Sequence, residues 1–389
     1  MPALNFPYFF KQSANSVVCM MNSFAQTNSM IIPAFVRRFR FVGFLTVAAV
    51  YVLILVGGVV RSTGSGMGCP DWPKCFGTWI PPTNISQLPP NYKEIYTAQR
   101  VEKNKKLAAK LERMGFQQVA GDIFAHPTQY IETDFNPVKT WIEYINRLIG
   151  ALIGVFVFGT VIFALPYWRR DRPVFWLAFG AFLLTGVQGW LGSLVVSTNL
   201  LPIMVTIHMG LALVIVAMLL YAVDRSQRGT EVKPQPLSAV PGLTLWLWTA
   251  VLLTFGQIVL GTQVREQIDL VASAANYLNR ADWVEQVGGV FRFHRTFSAV
   301  LLLVNLYGAY QLYRMPSRHL HRLATAILGL IGGEILAGII LAYLAFPAAV
   351  QPIHLTLATL LFGAQVLTVV AYSQVTKLRR QAATPAVVA

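Results

Sequence analysis

Charge is scarce in this chain. Asp, Glu, Lys and Arg make up only 12% of its 389 residues, against 55% hydrophobic, a balance that excludes an ordinary soluble domain. Alternation is missing too. The apolar stretches are continuous, which excludes a membrane β-barrel and leaves helices. No nucleic-acid motif is found, so the net charge of +15 needs another explanation. The segment before Arg37 has one charged residue, Lys11, and no clear cleavage site, so it does not read as a secretory signal. Cysteine is nearly absent, with Cys19, Cys69 and Cys75 the full set.

What is present in abundance is long apolar runs. Spanning a bilayer takes roughly 20 apolar residues in a helix. Eight such runs lie near 41–60, 142–165, 174–196, 202–223, 242–262, 291–313, 323–345 and 350–373. Basic residues cluster on one side of them. Arg37, Arg38 and Arg40 precede the first run, and Arg169, Arg170 and Arg172 lie between the second and third. Arg225, Arg228 and Lys233 follow the fourth, Arg314, Arg318 and Arg322 the sixth, and Lys377, Arg379 and Arg380 the eighth. The short connections on the other side, around 197–202 and 346–350, carry neither Lys nor Arg. This is the positive-inside pattern. It predicts a multi-pass protein of the cell inner (plasma) membrane with both termini cytoplasmic. The basic balance records topology, and the partner it implies is the lipid bilayer, not nucleic acid.

The chain repeats itself. "VQGWLGSLVVSTNLLPIMVTIHMGLA" (187–212) matches "GEILAGIILAYLAFPAAVQPIHLTLA" (333–358) at an offset of 146, with Gly192 on Gly338 and His208 on His354. "YINRLIG" aligns with "RFHRTFS", which puts Asn146 on His294 and Arg147 on Arg295. The expected fold is therefore all-α integral membrane, with eight transmembrane helices as two pseudo-symmetric four-helix bundles related by an axis along the membrane normal. Residues 1–36 form an N-terminal lead of doubtful status, and Met30 offers an alternative start. Residues 37–223 form the N-terminal half, including an outer loop at 61–140, and residues 224–389 the C-terminal half. The loop stretch "YKEIYTAQRVEKNKKLAAKLERMGFQ" predicts a helix of about six turns at the membrane surface. A shorter outer segment spans roughly 263–290.

Of the six histidines, His126 falls in the outer loop, and His319 and His321 in a basic cytoplasmic turn where solvated charge is the natural role. His208, His294 and His354 are different. Each lies just past the outer end of an inward-running span, where an ionisable group is costly and marks a functional hypothesis. A lone histidine there can simply hydrogen-bond a neighbouring helix. His294 and His354 occupy equal depth in alternate helices of one half, a layout that suits both axial positions of a b-type haem iron. No carboxylate or thiolate inside the membrane accompanies this pair. In the other half His208 matches His354, but Asn146 replaces the second histidine and leaves an open face. Glu143 lies three residues before Asn146, on the same side of the helix. The alternative is that Glu143 pairs with Arg147 at i+4. Cys69 and Cys75 flank "PDWPK" in an oxidising compartment. They form either a structural staple or a redox-active disulfide.

These features resemble the haem A synthase family. The resemblance rests on "GGVVRSTGSGMGCPDWPKC" after the first span, the Glu143-Tyr144…Arg147 core, and single histidines opening spans four, six and eight. It covers most of the chain. It implies an eight-helix membrane oxidoreductase that converts the C8 methyl of haem O to a formyl group by two hydroxylations, for terminal oxidase assembly. It implies haem b as cofactor on His294 and His354. The substrate haem O would lie near His208, Asn146 and Arg147, with Glu143 as the essential acid and Cys69 with Cys75 as the outer-loop pair. The implied partners are the synthase that supplies haem O and a membrane electron donor. Whether the chain forms a homo-oligomer stays open. Two departures stand out: the family usually has His at position 146, and many members carry a second cysteine pair where 263–290 has none. Other readings are a haem-b electron-transfer protein, or a haem-handling assembly factor or transporter, without synthase activity.

Overall fold

The computed structural model describes residues 32–124, 131–228, 237–275 and 278–383. Cys19, His126 and most of the N-terminal lead lie outside the described residues. Eight long helices carry the fold: α1 Ala34–Ser62, α2 Pro137–Ala164, α3 Arg172–Ser197, α4 Pro202–Arg225, α5 Leu243–Ala274, α6 Gly289–Tyr313, α7 Arg318–Tyr343 and α8 Val350–Ala383. Seven are long and apolar enough to cross a membrane individually. The eighth, α6, qualifies together with the short helices at Arg280–Gln286, from which it is bent by 80°. Arg292, His294 and Arg295 in its first turns reduce its hydropathy. The chain is thus an all-helical, multi-pass membrane protein.

Helix starts follow local chemistry. Pro137, Pro202 and the Arg172–Pro173 step place proline in the first turn, where no N–H is needed. Asn136 caps α2 by accepting from the Lys139 N–H at 3.1 Å, and Ser317 caps α7 from the Leu320 N–H at 3.4 Å. Several helices run past their apolar stretches, among them α8, which continues to Ala383. Helix α1 starts seven residues early, at Ala34, and α5 runs on to Ala274, well beyond 262. The α5 extension is held by charge. Asp269 accepts from Arg265 one turn before it at 2.7 Å and from Arg61 of α1 at 3.1 Å, so polar residues continue the helix where apolar ones stop.

Helix contacts run in sequence. α1 packs on α2, α2 on α3, α3 on α4, and α4 back on α1; α5, α6, α7 and α8 close on one another in the same order. Helix α8 also lies against α1 and α4, and α4 against α5, so the two groups of four meet along these helices. Without a hydrophobic driving force between helices in lipid, close packing and polar pairs hold such contacts. Thr46 and Thr160 hydrogen-bond between α1 and α2 at 2.9 Å, and Gln365 donates to Asn305 between α8 and α6 at 2.8 Å. Across the junction, Thr206 of α4 meets Thr262 of α5 at 2.8 Å; within the second group, Arg265 of α5 donates to Gln351 of α8 at 2.6 Å.

The outer loop is folded. Its expected helix is Tyr92–Arg113, and it packs against α3. Phe76 packs its ring edge-on against Tyr92, Tyr96 and Phe135 at 5.2–6.4 Å. Arg100 donates to Glu132 at 2.7 Å, with both side chains 6% exposed. Burial pushes the Glu132 carboxyl up, and Arg100 opposes that shift. The segment thus has its own small core and sits on the outer end of the first four helices.

Backbones meet closely at Gly58. A Cβ there would stand 2.8 Å from Pro352 Cβ and 2.9 Å from its Cα, so α1 and α8 reach this approach because position 58 has no side chain. Gly58→Val should cost about 1–3 kcal/mol by overpacking, seen as a lower midpoint of thermal unfolding in detergent. Gly154→Ala, where nothing lies within 4 Å of the new methyl, should melt like the parent. Equal midpoints for both variants would refute this contact.

Candidate functional site

The intramembrane histidines share one local arrangement. Each sits over a glycine of the preceding helix. Built Cβ positions at Gly192, Gly261 and Gly338 lie 3.8, 3.5 and 3.7 Å from Cε1 of His208, His294 and His354. A methyl at any of them would stand in ordinary contact with the ring. One turn before each glycine stands a polar residue that touches the same histidine. Gln188 Nε2 donates to the His208 carbonyl and Gln257 Nε2 to the His294 carbonyl, both at 3.0 Å. Glu334 Oε2 lies 3.2 Å from His354 Nδ1. The fourth member is Asn146, whose Oδ1 is 4.0 Å from the Cβ position of Gly57. One turn before Gly57 the residue is Leu53. The segments "QGWLG", "QIVLG", "EILAG" and "LILVG" are therefore four seats on the odd-numbered helices, each receiving a polar side chain from the helix that follows.

These seats were legible as a Gln/Glu-x-x-x-Gly spacing, but sequence reasoning did not draw on it. It also held that no intramembrane carboxylate accompanies the histidine pair. That is corrected by Glu334, which reaches His354 from α7. Helix α7 packs between α6 and α8, so a residue from a helix that carries neither ring of the pair reaches the site.

The rings of His294 and His354 face each other with centroids 6.5 Å apart and planes at 74°. A metal between two imidazoles, at about 2.0–2.1 Å from each nitrogen and with about 1.2 Å from nitrogen to ring centre, needs roughly 6.4 Å. The donor set and the spacing both fit a haem iron held by two axial histidines. Among the described residues no group of three or more His, Cys, Asp or Glu side chains could hold a metal ion, so the two-ligand arrangement stands by itself. His208 Nδ1 and Asn146 Oδ1 are buried with no hydrogen bond, the state of groups awaiting a partner.

Glu143 is 3% exposed and is tied to the outer loop. Its Oε2 accepts from the Cys69 N–H at 2.9 Å, and its Oε1 accepts from Arg147 Nη2. Arg147 Nη1 donates onward to the carbonyls of Asp71 and Lys74, at 2.8 and 3.0 Å. Cys69 and Cys75 are joined as a disulfide. The carboxylate and guanidinium together clasp the "CPDWPKC" loop onto the outer end of α2. Glu143 does pair with Arg147, as its i+4 spacing allowed, and that pair is part of the clasp. Asn146, three residues on, meets α1 instead.

The sequence of this chain matches, over residues 40–116 and 112–366, a family model described as cytochrome oxidase assembly protein. The chain is 27% identical over 312 residues to the heme A synthase of Bradyrhizobium sp. (strain ORS 278), spanning 71% of this chain and 76% of that protein. It is 28% identical over 321 residues to that of Bradyrhizobium sp. (strain BTAi1), spanning 73% and 79%. It is 25% identical over 341 residues to that of Alkalihalophilus pseudofirmus, spanning 84% and 95%.

If the clasp is what holds the disulfide loop, Arg147→Ala should loosen it. The variant leaves Glu143 buried without its cation, a change worth about 3–5 kcal/mol where an ion pair is buried. Cys69 and Cys75 should then be reduced and alkylated faster under mild reductant, read as the mass shift over time. Alkylation at the parent rate would exclude a holding role for Arg147.

Proposed function

This chain belongs to the family of cytochrome oxidase assembly proteins, and from that premise we propose that it is a haem A synthase, in keeping with the name its relatives carry. It oxidises the C8 methyl of haem O to a formyl group for terminal oxidase assembly. The observation that carries this reading is the pair of seated histidines 6.5 Å apart between α6 and α8, together with a third, His208, over the same kind of seat between α3 and α4.

The C-terminal half, residues 224–389, holds haem b through His294 and His354. When bound, haem b supplies one-electron transfer. The N-terminal half, residues 37–223, takes haem O between α2 and α4, with His208 toward its iron and Asn146 on the opposite side. An amide is a weak iron ligand, so that side stays open to chemistry. Two successive hydroxylations of the methyl give a gem-diol, and loss of water leaves the aldehyde. Each hydroxylation uses one dioxygen, two electrons from the membrane donor and two protons, puts one oxygen atom on the carbon and releases the other as water; Glu143 is the buried carboxylate at this outer end that relays those protons. Its bonds from the Cys69 N–H and Arg147 stabilise its ionised form. Arg147 orients that carboxylate and anchors the loop that closes over the site. Haem O comes from the synthase that makes it, and electrons are exchanged with a donor in the cell inner membrane, where both termini are cytoplasmic.

A second reading has one observation in its favour. At the fourth seat, Leu53 and Asn146 stand where the other three have Gln or Glu and His. A haem-b electron-transfer protein without synthase activity would show such a half-lost site.

Pyridine haemochrome analysis of the purified chain, expressed with and without a haem O source, separates the two. Haem A appearing with haem b supports the synthase; haem b alone under haem O supply supports electron transfer. His354→Ala should strip haem b. Glu143→Ala should keep haem b and reduce haem A formation by about 10²-fold or more. Normal conversion in that variant would remove Glu143 from the mechanism.

A further inference from the structure

The histidine seats are alike in geometry but not in chemistry. Gln188 and Gln257 spend their amide N–H on the backbone carbonyls of His208 and His294. Neither presents a charge to its ring. Glu334 alone presents a carboxylate, with Oε2 3.2 Å from His354 Nδ1. His354 Nδ1 is buried and has no other partner, so this carboxylate oxygen is the acceptor within reach of it. Glu334 has no Lys or Arg partner among the described residues, and its side chain is only 17% exposed. A carboxylate inside a membrane with no cation is expensive and marks function.

We propose that Glu334 is a positioning residue for haem b. It accepts the Nδ1–H of His354 and makes that imidazole the stronger of the two axial donors, which sets the haem b potential low. The proposal rests on the reading that His294 and His354 ligate haem b. Its physics is general. A carboxylate on the far nitrogen fixes the ring's tautomer and orientation and raises ligand basicity. A more basic ligand favours the ferric iron, which carries the extra charge. An amide oxygen at the same place would accept the same N–H with much less donation to the ring.

The two seats on haem b allow a reciprocal test by spectroelectrochemical titration of the purified holoprotein. Glu334→Gln keeps size and shape, and it copies a residue already found at the His294 seat. It should retain haem b content and the bis-imidazole spectrum. It should shift the reduction equilibrium at least tenfold toward ferrous haem, ~59 mV upward for one electron. Gln257→Glu should shift it the other way. Full haem content with an unmoved potential in both variants would overturn the role of Glu334 while leaving the axial pair intact. Loss of haem b in Glu334→Gln, with retention in Gln257→Glu, would also overturn it, since Glu334 would then serve assembly and not potential. A parent protein that binds no haem b would instead overturn the axial assignment on which the proposal rests.

Discussion

A polar ring inside a bilayer has no water to complete its hydrogen bonds, so its neighbours must make room for it and satisfy it. Here the room comes from glycine, and the residue one turn before it reaches the same histidine, at the backbone carbonyl of His208 and His294 and at the ring of His354. The glycines at 192, 261 and 338 bring Cε1 of a histidine ring close to the preceding helix. The 6.5 Å spacing of His294 and His354 is therefore a consequence of two independent seats, one built by α5 and one by α7. Neither ring could drift outward without leaving its glycine.

The outer end of the molecule extends the same economy. Glu143 and Arg147 are too polar for lipid, and the structure spends both on the loop above them. Their partners are backbone groups of Cys69, Asp71 and Lys74, which a short closed loop presents in a fixed pattern. The loop gains an anchor, and the helix end avoids orphaned charge. Similarly, Arg61 and Arg265 share Asp269 at the junction of the two halves, so the polar outer turns of α1 and α5 hold each other.

Much of this was legible in the sequence, for identifiable reasons. Continuous apolar runs announce spans because lipid allows few alternatives. His208, His294 and His354 stood out because ionisable residues are rare in spans. The pairing of Cys69 with Cys75 was legible from compartment and spacing. What could not be read directly depends on side chains meeting across helices. Glu334 was passed over because its importance lies in reaching His354 from a different helix. The role of Glu143 in holding Cys69 requires residues 74 positions apart to meet, which no local pattern encodes. The extension of α5 beyond its apolar run depends on Asp269 finding Arg61 from α1.

The fourth seat shows how tightly a seat and its occupant are linked. At the three histidines, the residue one turn before the glycine can hydrogen-bond, and at Asn146 it is Leu53. An imidazole facing Leu53 would have an Nδ1–H buried in an apolar wall, an uncompensated cost of about 1–3 kcal/mol. An asparagine is shorter, and its Oδ1 reaches only to the edge of Gly57. The two departures at this seat go together: the position that carries Gln or Glu at the other three is apolar, and the side chain received there is an amide and not an imidazole. Gly57 is kept, and Asn146 meets it as the histidines meet their glycines.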